Sequence, residues 1–515
     1  MKTRGFVYGS ILMIIVNFIV RSVDFIYDVM LSKFIGAEGL GLFQMAKSVL
    51  MIFIVISTAG IPTAISRLVA EYKSRNNYHI VRKILTVSIL LAFFFGIIFS
   101  TVIGLFGNNI ALGIYKNNNM ITAIYFLIPS VILIPLTVVF RGYYYGLRII
   151  MIPNISQVIE HVAQLLIVFG MLYFAYPIDP VTGATIAVCG IAIGEVFDLI
   201  WLTAMLKQSN KGITYIASKR ESRTKILKQI FSISAPIAVS DVISVIFRFA
   251  NSIFIPRSLM KIGFTNSEAV ATLGRISGMT MPLIALPFIV TGAIAINLVP
   301  NISENMALKR YNIVKHDIKF SIKMTLLAAI PLTGLYIFYS NHLGYLIYGD
   351  IKVSQFIKIM AYGTIFMALE HTFSGILNGL NKQITATKNR LIGLIVQVFC
   401  IYSLVSHPKF GINGFFIGFL LSGFIIFILD KITMIKKVKL VMDYKDLILK
   451  PVIATIVMLI TIYYSINFLD KFNFSDSLVF FSSVVIGGIT YLIILLKTKA
   501  IPTNIYKRMI SQRTQ

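Results

Sequence analysis

The chain has 515 residues, 57% of them hydrophobic and only 13% charged. A soluble chain of this length would fold as several domains with roughly 25% charged residues. Half that charge excludes a multidomain soluble enzyme, a disordered chain and a fibrous one. A mean hydropathy of +0.85 leaves an all-α polytopic membrane protein, with the lipid bilayer as its first partner. The net charge of +27 is no sign of a nucleic-acid partner. The basic residues sit in short segments between apolar runs, as membrane topology requires, and form no basic stripe.

A helix needs about 20 apolar residues to cross the hydrocarbon core, and fourteen such runs follow in chain order. Met1-Lys2-Thr3-Arg4 leads directly into span one, 5–31, which reads as a retained span rather than a cleaved signal peptide. It carries Asn17, Arg21, Asp24 and Asp28 on one helical face. Span two, 40–66, holds Lys47, and span three is 84–107. Span four, 121–146, ends in Gly142-x3-Gly146. Span five, 155–176, continues a stripe of Asn154, Gln157, His161 and Gln164 with Glu160 beside it. Span six, 181–206, contains Glu195 and Asp198.

A basic linker, 207–228, separates these six spans from eight more. Span seven, 229–255, has Asp241, Ser244, Arg248 and Asn251 on one face, with Arg257 and Lys261 just beyond. Span eight, 270–298, holds Arg275. Spans nine to twelve are 320–340, 356–380 (with Glu370-His371), 391–407 and 411–435. Spans thirteen and fourteen, 451–469 and 477–496, close the series. Lys and Arg concentrate in alternate connecting segments, which places both termini on the cytoplasmic side.

Spans one to six and seven to twelve read as two copies. Span two runs into Glu71-x6-Tyr78-His79-Ile80-Val81-Arg82, and span eight runs into Glu304-x6-Tyr311-Asn312-Ile313-Val314-Lys315. The same spacing separates Gly142-x3-Gly146 from Gly375-x3-Gly379. Arg21-x-x-Asp24 is echoed by Arg248-x-x-Asn251. Two pseudo-symmetric six-helix lobes are therefore expected, 1–228 and 229–440, with 441–515 as an appended helix pair and basic tail. Six spans per copy give both the same orientation, a transporter plan.

Intramembrane charges are costly and usually face a cavity or a partner. Arg21, Arg248, Lys47, Arg257 and Arg275 predict a cationic cavity suited to an anionic group, because guanidinium matches phosphate oxygens in pairs. Asn17, Asp24, Asp28, Asp241, Asn251, Gln157, Glu160 and Glu370 are the polar or coupling-ion candidates. Internal neutralisation, Arg21 with Asp24 and Arg248 with Asp241, is the competing reading. Glu195 and Asp198 stand between a cation or proton site and satisfied buried groups. The six histidines show no metal-ligand spacing, Cys189 and Cys400 form no framework, and there is no P-loop. No cofactor or metal is expected beyond a coupling cation, H+ or Na+.

Several stretches carry a family resemblance. They are Phe34-Ile35-Gly36-Ala37-Glu38-Gly39-Leu40-Gly41-Leu42-Phe43, Gly60-Ile61-Pro62-Thr63-Ala64-Ile65-Ser66 and Ser156-Gln157-Val158-Ile159-Glu160. With them go Gly278-Met279-Thr280-Met281-Pro282-Leu283, Leu298-Val299-Pro300-Asn301-Ile302-Ser303-Glu304 and Gly375-Ile376-Leu377-Asn378-Gly379-Leu380. Together they resemble the polysaccharide-exporter branch of the multidrug/oligosaccharidyl-lipid/polysaccharide (MOP) superfamily, in its sporulation members, relatives of the lipid II flippases. The resemblance covers spans one to twelve. It implies a transporter rather than an enzyme. It also implies alternating access between two lobes and a lipid-diphosphate saccharide passing a cationic cavity, with Arg21 and Arg275 at matching positions. The expected cargo is undecaprenyl-diphosphate-linked peptidoglycan precursor for spore cortex, moved across the cell or forespore membrane beside peptidoglycan-synthesis partners. Another surface polysaccharide unit, or a multidrug or cation antiporter on the same scaffold, stays open.

Overall fold

A computed structural model describes residues 2–209, 222–438 and 445–500. Most of the basic linker, Lys211 to Arg220, lies outside the described residues. Among the described residues there are eighteen α-helices and no strand. In order they are α1 Lys2–Thr58, α2 Ile61–Ser74, α3 Tyr78–Asn108, α4 Ile121–Tyr125, α5 Ile128–Gly146 and α6 Met151–Phe174. Next come α7 Pro180–Ser209, α8 Arg223–Lys261, α9 Asn266–Gly274, α10 Met281–Ile284, α11 Pro287–Ala307 and α12 Tyr311–Phe338. The last are α13 Ser340–Tyr348, α14 Ile351–Gly379, α15 Gln383–Cys400, α16 Asn413–Val438, α17 Lys450–Leu469 and α18 Asp476–Lys497. Among the described residues, eleven helices are long and apolar enough to cross a membrane. All fourteen apolar runs fall on helical segments, so the chain is a multi-pass, all-α membrane protein.

Three spans differ in form from a simple rod. Spans one and two are joined in α1 (57 residues), which bends at Gly36, where φ is 67°. That left-handed angle suits only glycine without strain, so the chain turns there without a polar loop. Span eight is broken in three: α9, a π-turn over Arg275–Thr280, then α10 and α11. Pro282 and Pro287 each remove a backbone donor, which is why the apolar run is not one helix. Thr265 and Glu268 close a capping box at the start of α9.

The chain forms two compact units. One comprises residues 1–279 and 398–415, the other 280–397 and 416–515. The first has a core of α2, α3, α5, α7 and α8, including Ile65, Leu68, Ile84, Tyr144, Leu202 and Ile230. The second packs α11, α12, α14 and α16 around Ile302, Ile318, Phe373, Ile376 and Met434. On its flank α17 and α18 pair closely, where a Cβ on Gly487 would lie 2.4 Å from Ile462. The Tyr491 hydroxyl ties that pair to α12 by donating to the Leu327 carbonyl at 2.8 Å.

Internal geometry repeats along the chain. Asn76, Lys116 and Arg148 take positive φ, and so do Lys309, Gly349 and Asn381 at the spacing that relates Glu71 to Glu304. Gly146 abuts Val69, with its Cβ position 2.6 Å from Val69 Cβ, and Gly379 abuts Ile302 at 2.9 Å, again at that spacing. Loop stops and helix crossings thus recur where the sequence repeats.

Candidate functional site

The most heavily charged interior lies in the first unit, among α5, α6 and α7. Arg141 on α5 is paired with Glu160 on α6 and with Asp198 on α7. Asp198 is fully buried and Glu195, one turn before it, is 4% exposed. Thr137, one turn before Arg141, lies 2.7 Å from Glu195. Glu160, Glu195 and Asp198 each offer a carboxylate oxygen within 4.8 Å of the others, the one such group among the described residues with metal-holding geometry. The Arg141 guanidinium already bridges two of the three. Arg141 Nε and Asp198 Oδ1 are buried without a hydrogen-bond partner. The helices come this close because α7 presents glycine: a Cβ on Gly194 would stand 3.1 Å from the Glu160 carbonyl oxygen.

The polar face of span one borders this cluster. Asp24 pairs with His161 on α6 at 2.9 Å, rather than being closed off by Arg21. Arg21 and Lys47 act on Asp24 electrostatically, and Lys47 also acts on Asp28. Lys47 lies over the Phe43 ring at 5.6 Å. Arg21 is exposed and Gln157 half-buried, while the side chain of Asn17 lies outside the described residues.

Span seven contributes differently. Asp241 and Arg248 are exposed on α8, and these two, Ser244 and Arg275 all have interaction partners. Asn251 buries an unbonded Oδ1. Arg257 donates to the Gly113 carbonyl at 2.8 Å, and Lys261 lies 5.0 Å from the Tyr402 ring centre. Glu370 belongs to the second unit and pairs with Arg390 on α15 at 3.3 Å. Beside it Asn389 donates to Asp430 at 2.7 Å, and His371 meets the Thr291 hydroxyl at 2.9 Å. The predicted residues therefore fall into three places. Arg21, Lys47, Asp24, Asp28 and Glu160 gather in the first unit. Arg257, with Lys261, lies toward the end of α8, and Glu370 sits apart.

Near Arg257 the first unit is held mostly by hydroxyl and amide groups. Ser48, Tyr115 and Ser252 form a closed triangle of hydroxyls, with oxygens 2.7, 2.8 and 2.9 Å apart. Asn117 donates to Asn266 at 2.9 Å, and Ser267 donates to Glu38. These contacts tie span two and the segment after span three to span seven and the start of span eight.

Arg141 is the charged residue that sequence reasoning missed. Its partners are 19 and 57 positions away, beyond the reach of spacing within one helix. An arginine inside span four, facing a chain with acids on spans five and six, was the available signal.

A sequence model described as "Polysaccharide biosynthesis protein" matches residues 6–306, and one described as "MatE" matches residues 236–403. The chain is 25% identical over 512 residues to stage V sporulation protein B of Bacillus subtilis (strain 168), covering 99% of this chain and 98% of that protein. It is 22% identical over 419 residues to the lipid II flippase MurJ of the same organism, covering 76% and 75% respectively. Among solved structures, "Lipid II flippase MurJ, inward closed conformation" matches with a TM-score of 0.69 at 16% identity, over 97% of this chain and 100% of that one. An inward-facing multidrug resistance MATE family transporter of the MOP superfamily matches with a TM-score of 0.68 at 14% identity, over 84% and 98%.

Proposed function

This chain belongs to the polysaccharide biosynthesis protein family, and on that premise we propose that it is a flippase for an undecaprenyl-diphosphate-linked saccharide. Our reading of the cargo is the peptidoglycan precursor lipid II for spore cortex, moved across the cytoplasmic membrane by alternating access. The observation that carries this reading is the end-to-end likeness to the sporulation relative, 99% of one chain against 98% of the other. The fold likeness adds support: the flippase spans 97% of this chain, the multidrug transporter 84%.

Rocking of two lobes, 1–228 against 229–440, carries the head group past Arg21 and Arg248, with both chain termini cytoplasmic. Arginine suits the diphosphate because its planar fork bonds two oxygens at once. The hydroxyl triangle and the Asn117–Asn266 bond lie at the end of the bundle that this orientation places outside. A multidrug or cation antiporter is the second reading, favoured by the match of residues 236–403 to the MatE description.

The test is translocation of fluorescent lipid II by the purified protein in vesicles, beside export of a cationic dye. Lipid II movement that is lost in Arg21→Ala and Arg248→Ala, and partly regained with Lys, is the expected result. Dye export without lipid II movement supports the antiporter. Full lipid II activity in both alanine variants removes the cationic site from the mechanism.

A further inference from the structure

Thr137 has one hydroxyl hydrogen and two close acceptors. Its Oγ1 lies 3.0 Å from the Ile134 carbonyl oxygen and 2.7 Å from Glu195 Oε2. A backbone carbonyl only accepts, and so does an ionised carboxylate. One hydrogen does not make two full bonds at these distances. Both contacts are satisfied together when Glu195 is a carboxylic acid: its O–H donates to Thr137, and Thr137 donates to Ile134.

The charge count around the cluster points the same way. The carboxyl groups are Asp24 and Asp28 on α1, Glu160 on α6, and Glu195 and Asp198 on α7. The basic groups facing them are Arg21 and Lys47 on α1, Arg141 on α5 and the His161 imidazole on α6. Tyr27 and Tyr145, also close by, are neutral phenols. Helix α3, also packed on α5, has no charged residue from Ile84 to Asn108. Arg141 is bound to Glu160 and Asp198, and Asp24 is bound to His161. Five carboxyls thus face four basic groups, one of them an imidazole that is charged only when protonated, and the hydrogen-bond partner of Glu195 is a hydroxyl rather than a cation. It is 4% exposed, and a buried carboxylate without its own counter-charge takes up a proton instead. Asp198 Oδ1, beside it, is also without a hydrogen-bond partner, and the unbonded Arg141 Nε sits on a guanidinium already shared by Glu160 and Asp198.

We propose that Glu195 is a proton-binding site, protonated in this conformation, whose proton leaves when Arg141 parts from Glu160 or Asp198. On release the O–H bond of Glu195 breaks, the proton passes to water, and the electron pair stays on the carboxylate. That carboxylate then takes the freed guanidinium in place of Thr137. Sliding of α5 against α6 and α7 is thereby tied to one proton. The protonation itself is independent of which cargo is moved; its link to turnover rests on the flippase reading.

The test is infrared spectroscopy of the full-length protein in lipid nanodiscs, with glutamate side chains labelled with carbon-13. A labelled carboxylic-acid band at neutral pH, lost in Glu195→Gln and kept in Glu160→Gln, is expected. Gln offers an N–H to Thr137 and so preserves the neutral geometry. Thr137→Val shifts the band by removing its acceptor. Absence of a band sensitive to Glu195→Gln overturns the proposal. So does a carboxylate signal that answers to Na+ or Ca2+, which marks the three acids as a metal-ion site. A second arm adds lipid II to protein in weakly buffered detergent with a pH dye. Proton release that is absent in Glu195→Gln supports coupling. An intact band with no release leaves the protonation standing: where the vesicle assay shows lipid II movement it overturns the coupling, and where lipid II does not move it is the cargo reading that fails.

Discussion

Gly41 and Gly274 bring two helices into backbone contact. A Cβ on Gly274 would lie 1.9 Å from the Ala37 carbonyl oxygen, and one on Gly41 would lie 2.1 Å from the Val270 carbonyl oxygen. No side chain fits between α1 beyond its bend and the short α9. Gly274→Ala or Gly41→Ala should therefore force the pair apart at a cost of about 1–3 kcal/mol. Thermal unfolding in detergent should show it, with Gly104→Ala, where a Cβ meets nothing within 4 Å, as the unaffected control.

The Ser48–Ser252 contact, 2.8 Å between hydroxyl oxygens, is short enough to be replaced by a disulfide. With Cys189 and Cys400 changed to Ala, the pair Ser48→Cys/Ser252→Cys should oxidise readily and stop turnover in vesicles. Reductant should restore it. Undiminished transport by the fully oxidised pair would mean that this seam does not open during the cycle.

Arg141→Ala should be among the most damaging single changes in the first unit. It strands Glu160 and Asp198 in the interior, and removing one partner of a buried pair costs about 3–5 kcal/mol. Folded yield after detergent extraction measures this. Arg141→Lys should recover part of it, since an ammonium keeps the charge but not the two-pronged reach.

Much of the architecture was legible because bilayer thickness fixes helix length. Runs of apolar residues located the long helical segments, and paired glycines located the repeat. The bend at Gly36 was not legible, since no proline or polar break marks it and one glycine among many carries no signal alone. The break in span eight was marked by Pro282 and Pro287, yet its high hydropathy hid it. The charges on spans one and seven stood out because they share a helix face. Arg141 did not, because its partners come from α6 and α7, and pairing between helices is set by packing rather than by spacing. The closeness of Asp24 to His161 was hidden for the same reason.

Cysteine labelling from either side of the membrane should place positions 116 and 350 outside. Residues 207–228 and the C-terminus should label from inside. These two outer positions are the left-handed stop at Lys116 and the cap of α14 at Asp350. Outside labelling of 207–228 would invert the orientation assumed for every transport step.

Asp179 starts α7, accepting from the backbone N–H groups of Val181 and Thr182 at 3.1 and 3.0 Å. These bonds, with the Thr182 backbone foremost, hold its carboxyl below the usual range. A depressed carboxyl contributes stability above its unfolded value and loses it as pH falls through the folded value. Asp179→Asn should keep the cap and abolish that acid-side loss, while Asp179→Ala should cost about 1 kcal/mol at neutral pH. Unfolding midpoints across the acid range read both effects; because Asp179 is exposed, they will be small.

The triangle of Ser48, Tyr115 and Ser252 has an electrical consequence. Its three hydroxyls carry no net charge, so parting them moves only dipoles. A full charge crossing 100 mV exchanges about 2.3 kcal/mol with the field, but these three groups exchange almost none. Capacitive current recorded from oriented membranes should therefore be blind to their parting, and any displacement charge must come from ionised side chains, Arg257 and Glu38 nearby among them.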